Sequence, residues 1–193
     1  MVSEETIRAL VGHDFPGGEY LIEHWENFLL TECTGSKLME NSVVHPIALF
    51  HVPIQGCNTT ITEMFELGHA DSADSIAIES YEWDMFHPLK EDVSYKANGK
   101  ITEAARCVGG VGNIYDRIQF SFELVDPEDE LTARSVITWY YMRRKRVEKF
   151  MMAFMFSIKK MLPAKARARF ETLLIHFTGI GMGKMFPARP SEK

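Results

Sequence analysis

The stretch that decides the fold is His51–Gly68, HVPIQGCNTTITEMFELG, which precedes four strand-like segments within residues 75–142. Pro53 suits the first turn of a helix, because the N–H that it lacks would have no partner there. Gly68 suits the residue that ends a helix. The sequence therefore predicts a helix from about Val52 to Leu67. Most of its side chains are apolar, so a sheet should largely enclose it.

The residues after this helix alternate between apolar and polar side chains, which is typical of antiparallel strands. The clearest case is Tyr115–Val125, where Ile118, Phe120, Phe122 and Leu124 alternate with polar residues. Asn98-Gly99 is interpreted as a bend or a bulge, and Asp126–Asp129 as a hairpin turn. The four predicted strands are 75–86, 92–108, 115–125 and 131–142.

Upstream of the central helix, the pattern predicts a short helix over residues 4–11. It also predicts a helix through most of Glu19–Cys33, with space for a short strand at the start of that stretch. Residues 37–50 are interpreted as a loop. Downstream, apolar residues at helical spacing predict an amphipathic helix from Val147 to Met161 and a second helix over Ala164–Phe177. The chain is therefore divided into an N-terminal segment (1–18), a central domain (19–144) and a basic helical extension (145–193).

The composition, 46% hydrophobic and 25% charged, is that of a soluble globular protein. The apolar run Phe150–Ile158 is too short to span a membrane, and the acidic N-terminus does not resemble a signal peptide. The three cysteines, Cys33, Cys57 and Cys107, form no CxxC pair, so neither a disulfide framework nor a zinc site is expected. Free cysteines indicate a cytoplasmic protein, and the histidines lack ligand spacing, so no metal is expected.

Charge is distributed unevenly along the chain. From Arg143 onward there are 13 Lys and Arg residues against three Glu, whereas residues 1–142 carry 24 acidic and eight basic residues. We interpret the apolar face of the tail as packing against this protein or a subunit interface, in preference to a membrane surface. The basic run Arg143–Arg146 could meet an acidic acyl carrier, coenzyme A phosphates or an acidic neighbour. The acidic chain as a whole argues against nucleic acid.

Several blocks of sequence together resemble one family. They are Thr31–Ser36 (TECTGS), Pro46–Phe50 (PIALF), the central helix, Pro88–Val93 (PLKEDV), which is similar to the family's P-h-x-x-G-D, and the last hairpin from Tyr115 to Trp139. These blocks look like the MaoC-like hydratase/dehydratase family, and within it the non-catalytic half of double-hotdog enzymes. The resemblance covers roughly residues 19–144. It implies an α+β hotdog fold, in which an antiparallel sheet wraps around a long central helix.

Active members of that family use an Asp and a His, five residues apart, in a segment resembling G-D-x-N-P-x-H. Hydration of an enoyl thioester needs a base that activates water and an acid that protonates the alpha carbon. The thioester oxygen also needs N–H donors, which the start of the central helix supplies in the family. The resemblance thus implies an acyl-CoA or acyl-carrier thioester as substrate, and no cofactor.

This sequence departs from the family pattern at both catalytic positions. When Thr34-Gly35-Ser36 is aligned with the family's Thr-Gly-Asp, Ser36 takes the place of the Asp and Asn41 that of the His. Neither side chain is a base at neutral pH. A shifted alignment keeps the same spacing with Glu40 and His45, although the Asn-Pro between them is missing.

Further candidates surround the start of the central helix. His51 stands where active relatives often carry His-Gly-Met, so it is either a pocket residue or a helix-start residue. Glu63 is a candidate base for the alternative function, an acyl-CoA thioesterase. The residues that the resemblance assigns to substrate binding are Gln55, Gly56, Cys57 and Asn58.

The preferred function is that of a hotdog subunit of an enoyl-thioester hydratase or 3-hydroxyacyl-thioester dehydratase, a lyase. The chain would shape the acyl pocket, and a partner hotdog would supply the Asp and His. Pairing into a homo- or hetero-oligomer would also cover the exposed edge of the sheet. The alternatives are the thioesterase and a non-enzymatic acyl-binding or assembly module.

Overall fold

The computed structural model describes residues 2–72, 75–109 and 113–143, so both predicted tail helices lie outside the described residues. The helices are α1 (Glu4–Arg8), α2 (His24–Cys33), a 3-10 helix (Pro46–Phe50), α3 (Val52–Gly56) and α4 (Ile61–Leu67). The strands are β1 (Gly18–Leu21), β2 (Ile76–Met85), β3 (Ser94–Val108), β4 (Ile114–Val125) and β5 (Leu131–Arg143). The chain divides into two compact units. One comprises Val2–Arg106 and Asp116–Tyr141.

The five strands form one sheet in the order β1-β3-β4-β5-β2. β1 pairs with β3, and β2 pairs with β5, both antiparallel, with a register shift in β2 between Ile78 and Ser80. β2 is therefore one edge of the sheet. The helical segment 46–67 lies between β1 and β2 in the chain, and it packs on the sheet through residues such as Phe65, whose ring lies 5.2 Å from that of Trp139. This α+β architecture confirms the predicted hotdog arrangement.

The strand predictions are confirmed to within two residues at each end. In β4, Ile118, Phe120, Phe122 and Leu124 are fully buried, as their alternation predicts. Strand β3 is not interrupted at Asn98-Gly99, because it continues through both residues. A methyl group on Gly99 would lie 2.5 Å from the Phe122 ring, so this glycine permits close packing.

The central helix differs from the prediction, since it is two short helices separated by Cys57–Thr60. Asn58 has a φ of 52°, a left-handed conformation that ends α3. Thr60 then begins α4 with a capping box, in which its side chain accepts from Glu63 N and the Glu63 carboxylate accepts from Thr60 N. A threonine hydroxyl that bonds to the backbone in this way favours a new helix start over continuation of the previous helix.

Helix α2 buries three polar residues and exposes three large apolar ones. Trp25, Phe28 and Leu29 are exposed, whereas Asn27 and Thr31 are buried. Asn27 explains this orientation, because its side chain accepts from His45 N at 3.0 Å and donates to Glu91 Oε1 at 2.6 Å. Buried hydrogen bonds thus determine which face of α2 packs on the core. The spacing of apolar residues predicts that a helix forms here, but it points to the wrong face.

Glu91, in the loop before β3, is held by two side chains of α2. It accepts from Asn27 and lies 2.9 Å from His24 Nδ1. The hydrogen bond from Asn27, and then the bond and charge of His24, lower the pKa of Glu91 below its ordinary value. A lowered pKa means that the folded state prefers the ionised carboxylate, so it contributes stability above the unfolded pKa.

We expect Glu91→Gln to lower the free energy of unfolding at pH 7 by about 1–2 kcal/mol, because charge-assisted hydrogen bonds are lost. As the pH falls through the lowered pKa of Glu91, the wild type loses the same contribution, so the difference from the variant should shrink. Urea unfolding at stepwise lower pH measures this. Glu82→Gln, an exposed carboxylate on β2, is the control. A difference that stays constant down to strongly acidic pH would contradict the assignment.

None of the helices within the described residues is long and apolar enough to cross a membrane. In the same part of the chain, no group of three or more His, Cys, Asp or Glu residues is placed to hold a metal ion.

Candidate functional site

The positions that correspond to the family's Asp and His lie on an exposed loop after α2. Ser36 and Asn41 are both exposed, and Asn41 has a φ of 58°. Among the described residues, neither side chain has a carboxylate or histidine partner. The loop therefore carries no acid–base pair at these two positions.

The shifted pair is not brought together either. Glu40 is exposed, and no hydrogen bond joins it to His45 within the described residues. His45 instead caps the 3-10 helix, since its Nδ1 accepts from Ile47 N at 3.2 Å. A nitrogen that already accepts a backbone N–H has no free lone pair with which to take a proton. Catalysis by Glu40 and His45 remains an untested prediction, with no geometric support.

His51, which lies between the 3-10 helix and α3, takes part in a polar network with residues of β1, α2 and α3. Its Nε2 lies 2.9 Å from Glu26 Oε1 of α2. The same oxygen accepts from the Tyr20 hydroxyl of β1 at 2.8 Å, and that hydroxyl lies 2.9 Å from Gln55 Oε1 of α3. We call these four residues, Tyr20, Glu26, His51 and Gln55, the histidine network.

The Tyr20 phenol is a fixed neutral donor in this network. Burial, followed by the hydrogen bond to Glu26 and the negative charges of Glu26 and Glu23, raises its pKa well above the ordinary value. A phenol has one proton, and the Glu26 carboxylate is the stronger acceptor, so Tyr20 donates to Glu26. Gln55 Oε1, which lies 2.9 Å from the same hydroxyl, is a second and weaker acceptor for that one proton.

The sequence analysis identifies His51 and Gln55 but misses Glu26 and Tyr20. Glu26 lies 25 residues before His51, so no local spacing connects them. The one signal in the sequence is the polar pair Glu26-Asn27 between the apolar Trp25 and Phe28. Both residues are buried, and each bonds to a distant element.

The other residues assigned to substrate binding have structural contacts. Gly56 permits close packing of α3, because an added methyl group would lie 2.7 Å from Ala97 Cβ. Asn58 Nδ2 donates to Gly17 O at 2.7 Å. Burial raises the pKa of the Cys57 thiol to about 12, so it is neither charged nor nucleophilic at neutral pH. Substrate binding by these residues stays a prediction.

Glu63, the candidate thioesterase base, is occupied by the capping box. Its Oε2 accepts from Thr60 N at 2.8 Å and from the hydroxyls of Thr60 and Thr59 at 3.1 and 3.3 Å. These three contacts hold the carboxylate of Glu63 against the first turn of α4. The geometry of Glu63 therefore explains a helix start, and its role as a base remains untested.

An apolar cavity of about 200 Å³ lies between the central helices and the sheet. Three lining residues, Phe50, Ile61 and Ile78, are 44%, 43% and 54% exposed, so the cavity opens to solvent beside them. The Tyr81 hydroxyl donates to Phe50 O at 2.6 Å, and the two rings stack with centroids 4.9 Å apart. The complete lining is Phe50, Ile54, Ile61, Phe65, Ile76, Ile78, Tyr81 and Trp139.

One buried polar group in this lining stands out. The Trp139 side chain is 4% exposed, and its indole nitrogen has no hydrogen-bond partner within the described part of the chain. A buried donor without a partner costs about 1–3 kcal/mol.

Solved structures with the same architecture include two complexes from Mycobacterium tuberculosis. The ChsH1–ChsH2 complex has a TM-score of 0.55 at 8% identity, over 74% of this chain and 91% of that one. The HadBC (3R-hydroxyacyl-ACP dehydratase) complex has a TM-score of 0.52 at 11% identity, over 68% and 96%. A MaoC-like dehydratase has a TM-score of 0.53 at 14% identity, over 70% of this chain and 43% of that chain. No family model matches the sequence, and no curated protein is significantly similar to it.

These likenesses define the chain as a hotdog-fold protein of the α+β class. At 8–14% identity they establish the fold, and the predicted MaoC-like resemblance is confirmed at that level. This chain spans less than half of the MaoC-like dehydratase, so it corresponds to one part of that longer protein.

Proposed function

We propose that this chain is a hotdog subunit of an enoyl-thioester hydratase or 3-hydroxyacyl-thioester dehydratase, and that it shapes the acyl pocket. The apolar cavity beside the central helices carries this proposal, because its lining suits the hydrocarbon part of an acyl thioester. Ser36 and Asn41 cannot act as the family's acid and base. A second hotdog subunit then supplies the Asp and His of the hydration reaction.

The edge strand β2 supports the pairing with a second hotdog. Ile78 lines the open side of the cavity on this strand, and Trp83 and Met85 are exposed farther along it. Within the described residues, β2 has β5 as its one neighbour, so a second sheet that pairs with its other side would cover that edge and these side chains. Two of the similar structures are complexes, HadBC and ChsH1–ChsH2.

Co-purification of the tagged chain from its native cells, followed by mass spectrometry, tests this proposal. We expect a hotdog partner that carries Asp and His, and hydration of crotonyl-CoA or longer enoyl-CoA by the pair but little by this chain alone. If the chain alone hydrates enoyl-CoA rapidly, and still does so without His45 and His51, the proposal that a partner subunit supplies the catalytic Asp and His is wrong. Acyl-CoA binding without hydration in any complex would favour the acyl-binding module.

Filling the cavity should weaken acyl binding. We expect Ile78→Trp to raise the Kd for decanoyl-CoA about tenfold or more, because burial of several methylenes at about 0.8 kcal/mol each is lost. The Kd for acetyl-CoA should change little. Isothermal titration calorimetry measures both Kd values, because the introduced Trp would itself fluoresce. Val11→Trp, an exposed site outside the cavity lining, is the control. Equal effects of both variants on decanoyl-CoA would contradict the assignment.

A further inference from the structure

The apolar cavity is lined by side chains of two kinds, aromatic rings and isoleucines. We propose that the acyl group bound there ends in an uncharged aromatic ring, which the cavity prefers to an open chain with the same number of carbons. This preference rests on the proposed function, because it concerns an acyl thioester bound by this chain, and it names the substrate class of that site. It concerns binding alone and requires no catalytic residue of this chain.

Aromatic side chains are concentrated in the cavity. They are 11% of the whole chain but four of the eight lining residues, so the lining differs from an average sample of the protein. They form two pairs. The rings of Phe50 and Tyr81 stack with centroids 4.9 Å apart, and those of Phe65 and Trp139 lie 5.2 Å apart at 59°. A ligand ring that contacts such side chains edge-to-face or in an offset stack gains about two- to tenfold in affinity beyond the burial of its area.

The other lining residues are stiff as well. All four are isoleucines, whose branched Cβ restricts rotation about χ1. The chain has 11 methionines, the residue that adapts a pocket to ligands of different shape, yet none of the described lining residues is one. A ligand that is already rigid loses less conformational freedom in a pocket of fixed shape than an open chain does. The isoleucines are Ile54, Ile61, Ile76 and Ile78.

The size of the cavity fits a six-membered ring. Its volume is about 200 Å³, and an apolar cavity of about 150 Å³ is enough to bind benzene. A ring therefore leaves room for part of the chain that links it to the thioester. Phe50, Ile61 and Ile78 are partly exposed, so the cavity is open beside them and the linker can extend to solvent there.

The lining provides no partner for a charged substituent on the ring. None of the described residues that form it is Asp, Glu, Lys, Arg or His. The Tyr81 hydroxyl donates to Phe50 O at 2.6 Å and lies 3.2 Å from Leu49 O. Burial raises the pKa of Tyr81 well above its ordinary value, so the phenol is neutral. A charged group in the cavity would lose its hydration without compensation, which excludes a ring that carries one.

Calorimetric titration with three thioesters of equal acyl carbon number tests the proposal. They are 3-phenylpropionyl-CoA, 3-cyclohexylpropionyl-CoA and nonanoyl-CoA. The cyclohexyl compound matches the phenyl compound in size and linker but has no aromatic ring. Nonanoyl-CoA exposes the most apolar surface, so burial alone would favour it. We expect the phenyl compound to bind about fivefold tighter than either of the others.

Phe50→Leu and Phe65→Leu each remove one lining ring. In both variants the ratio of the cyclohexyl Kd to the phenyl Kd should fall by about half or more. Phe28→Leu is the matched control, because Phe28 and Phe50 are both 44% exposed but only Phe50 lines the cavity. The ratio should stay at the wild-type value in Phe28→Leu. The exposed Phe50 can be replaced with little effect on the fold, so its variant is informative even where Phe65→Leu lowers stability.

The three thioesters also separate this inference from the proposed function. Equal Kd values for the phenyl and cyclohexyl compounds, or tighter binding of nonanoyl-CoA, would overturn the ring preference and leave the proposed function standing. If none of the three binds, both are wrong. A preference for the phenyl compound that is unchanged in both Phe50→Leu and Phe65→Leu would place the ring outside this cavity and overturn the assignment.

Discussion

Replacing Arg106 by Met should lower the free energy of unfolding by about 3–5 kcal/mol, the cost of breaking a buried ion pair by removal of one partner. Arg106 Nε donates to Asp116 Oδ1 at 2.7 Å, and its Nη2 donates to Asp116 Oδ2 at 3.0 Å. The Asp116 side chain is fully buried and that of Arg106 is 15% exposed. Loss of the bidentate contact leaves a desolvated carboxylate with weaker compensation for its charge.

Arg106 also ties the N-terminus to the sheet, because its Nη2 donates to Val2 O at 3.0 Å. The hydrogen bond and charge of Asp116 raise the pKa of Arg106 further above its already high value, so the guanidinium is charged at every pH of interest. Lysine is a poor substitute at this position, since an ammonium group cannot make the parallel pair of hydrogen bonds. Arg106→Lys should therefore recover only part of the lost stability.

Arg134→Met is the matched control. Arg134 pairs with Glu123 Oε1 at 2.9 Å, but both side chains are more than a third exposed. An exposed pair of this kind contributes about 0–1 kcal/mol. Urea unfolding of the two variants at pH 7 should thus separate them by several kcal/mol. Equal effects would mean that the burial of the Asp116 pair adds nothing to its strength.

The sheet was the predictable part of the fold. Alternation in β4 reflects a strand with one face on the core, and nothing in Ile118–Leu124 competes with it. The central helix was harder, because apolar spacing continues through Cys57–Thr60 while hydrogen bonds of Thr60 and Glu63 begin a new helix there. Capping is local chemistry, and the Thr60…Glu63 spacing carries the signal for it.

The candidate site was only half predictable. His51 could be found because it precedes the central helix, as the family resemblance implies. Its partner Glu26 could not, since the contact depends on α2 facing the core with Glu26, Asn27 and Thr31. The exposed apolar residues of that helix, such as Trp25 and Phe28, favour the opposite orientation by spacing alone. Tertiary hydrogen bonds outweigh that preference, and only the folded chain shows them.

Gly68→Ala should lower the free energy of unfolding by about 3 kcal/mol through a steric clash. Gly68 ends α4 with a φ of −76°, which any residue can adopt, so backbone strain is not the cause. An added methyl group would meet the Tyr141 ring, contacting Cε1 and Cζ and lying 2.9 Å from Cδ1. That ring is fully buried, and its hydroxyl donates to Met64 O at 2.9 Å, so it cannot move aside without losing a hydrogen bond.

Two further variants show whether the clash with Tyr141 is the cause. Thr62→Ala, an exposed change within α4, should be neutral or slightly stabilising because alanine favours a helix. Tyr141→Leu removes the ring that the methyl group meets, and it is destabilising by itself. Adding Gly68→Ala to that variant should then cost much less than in the wild type, a coupling that urea unfolding of the double-mutant cycle measures. If the effects of the two substitutions are simply additive, the clash with Tyr141 is not the cause. Gly68 would then matter for the backbone at the end of α4, and not for the packing of that helix on β5.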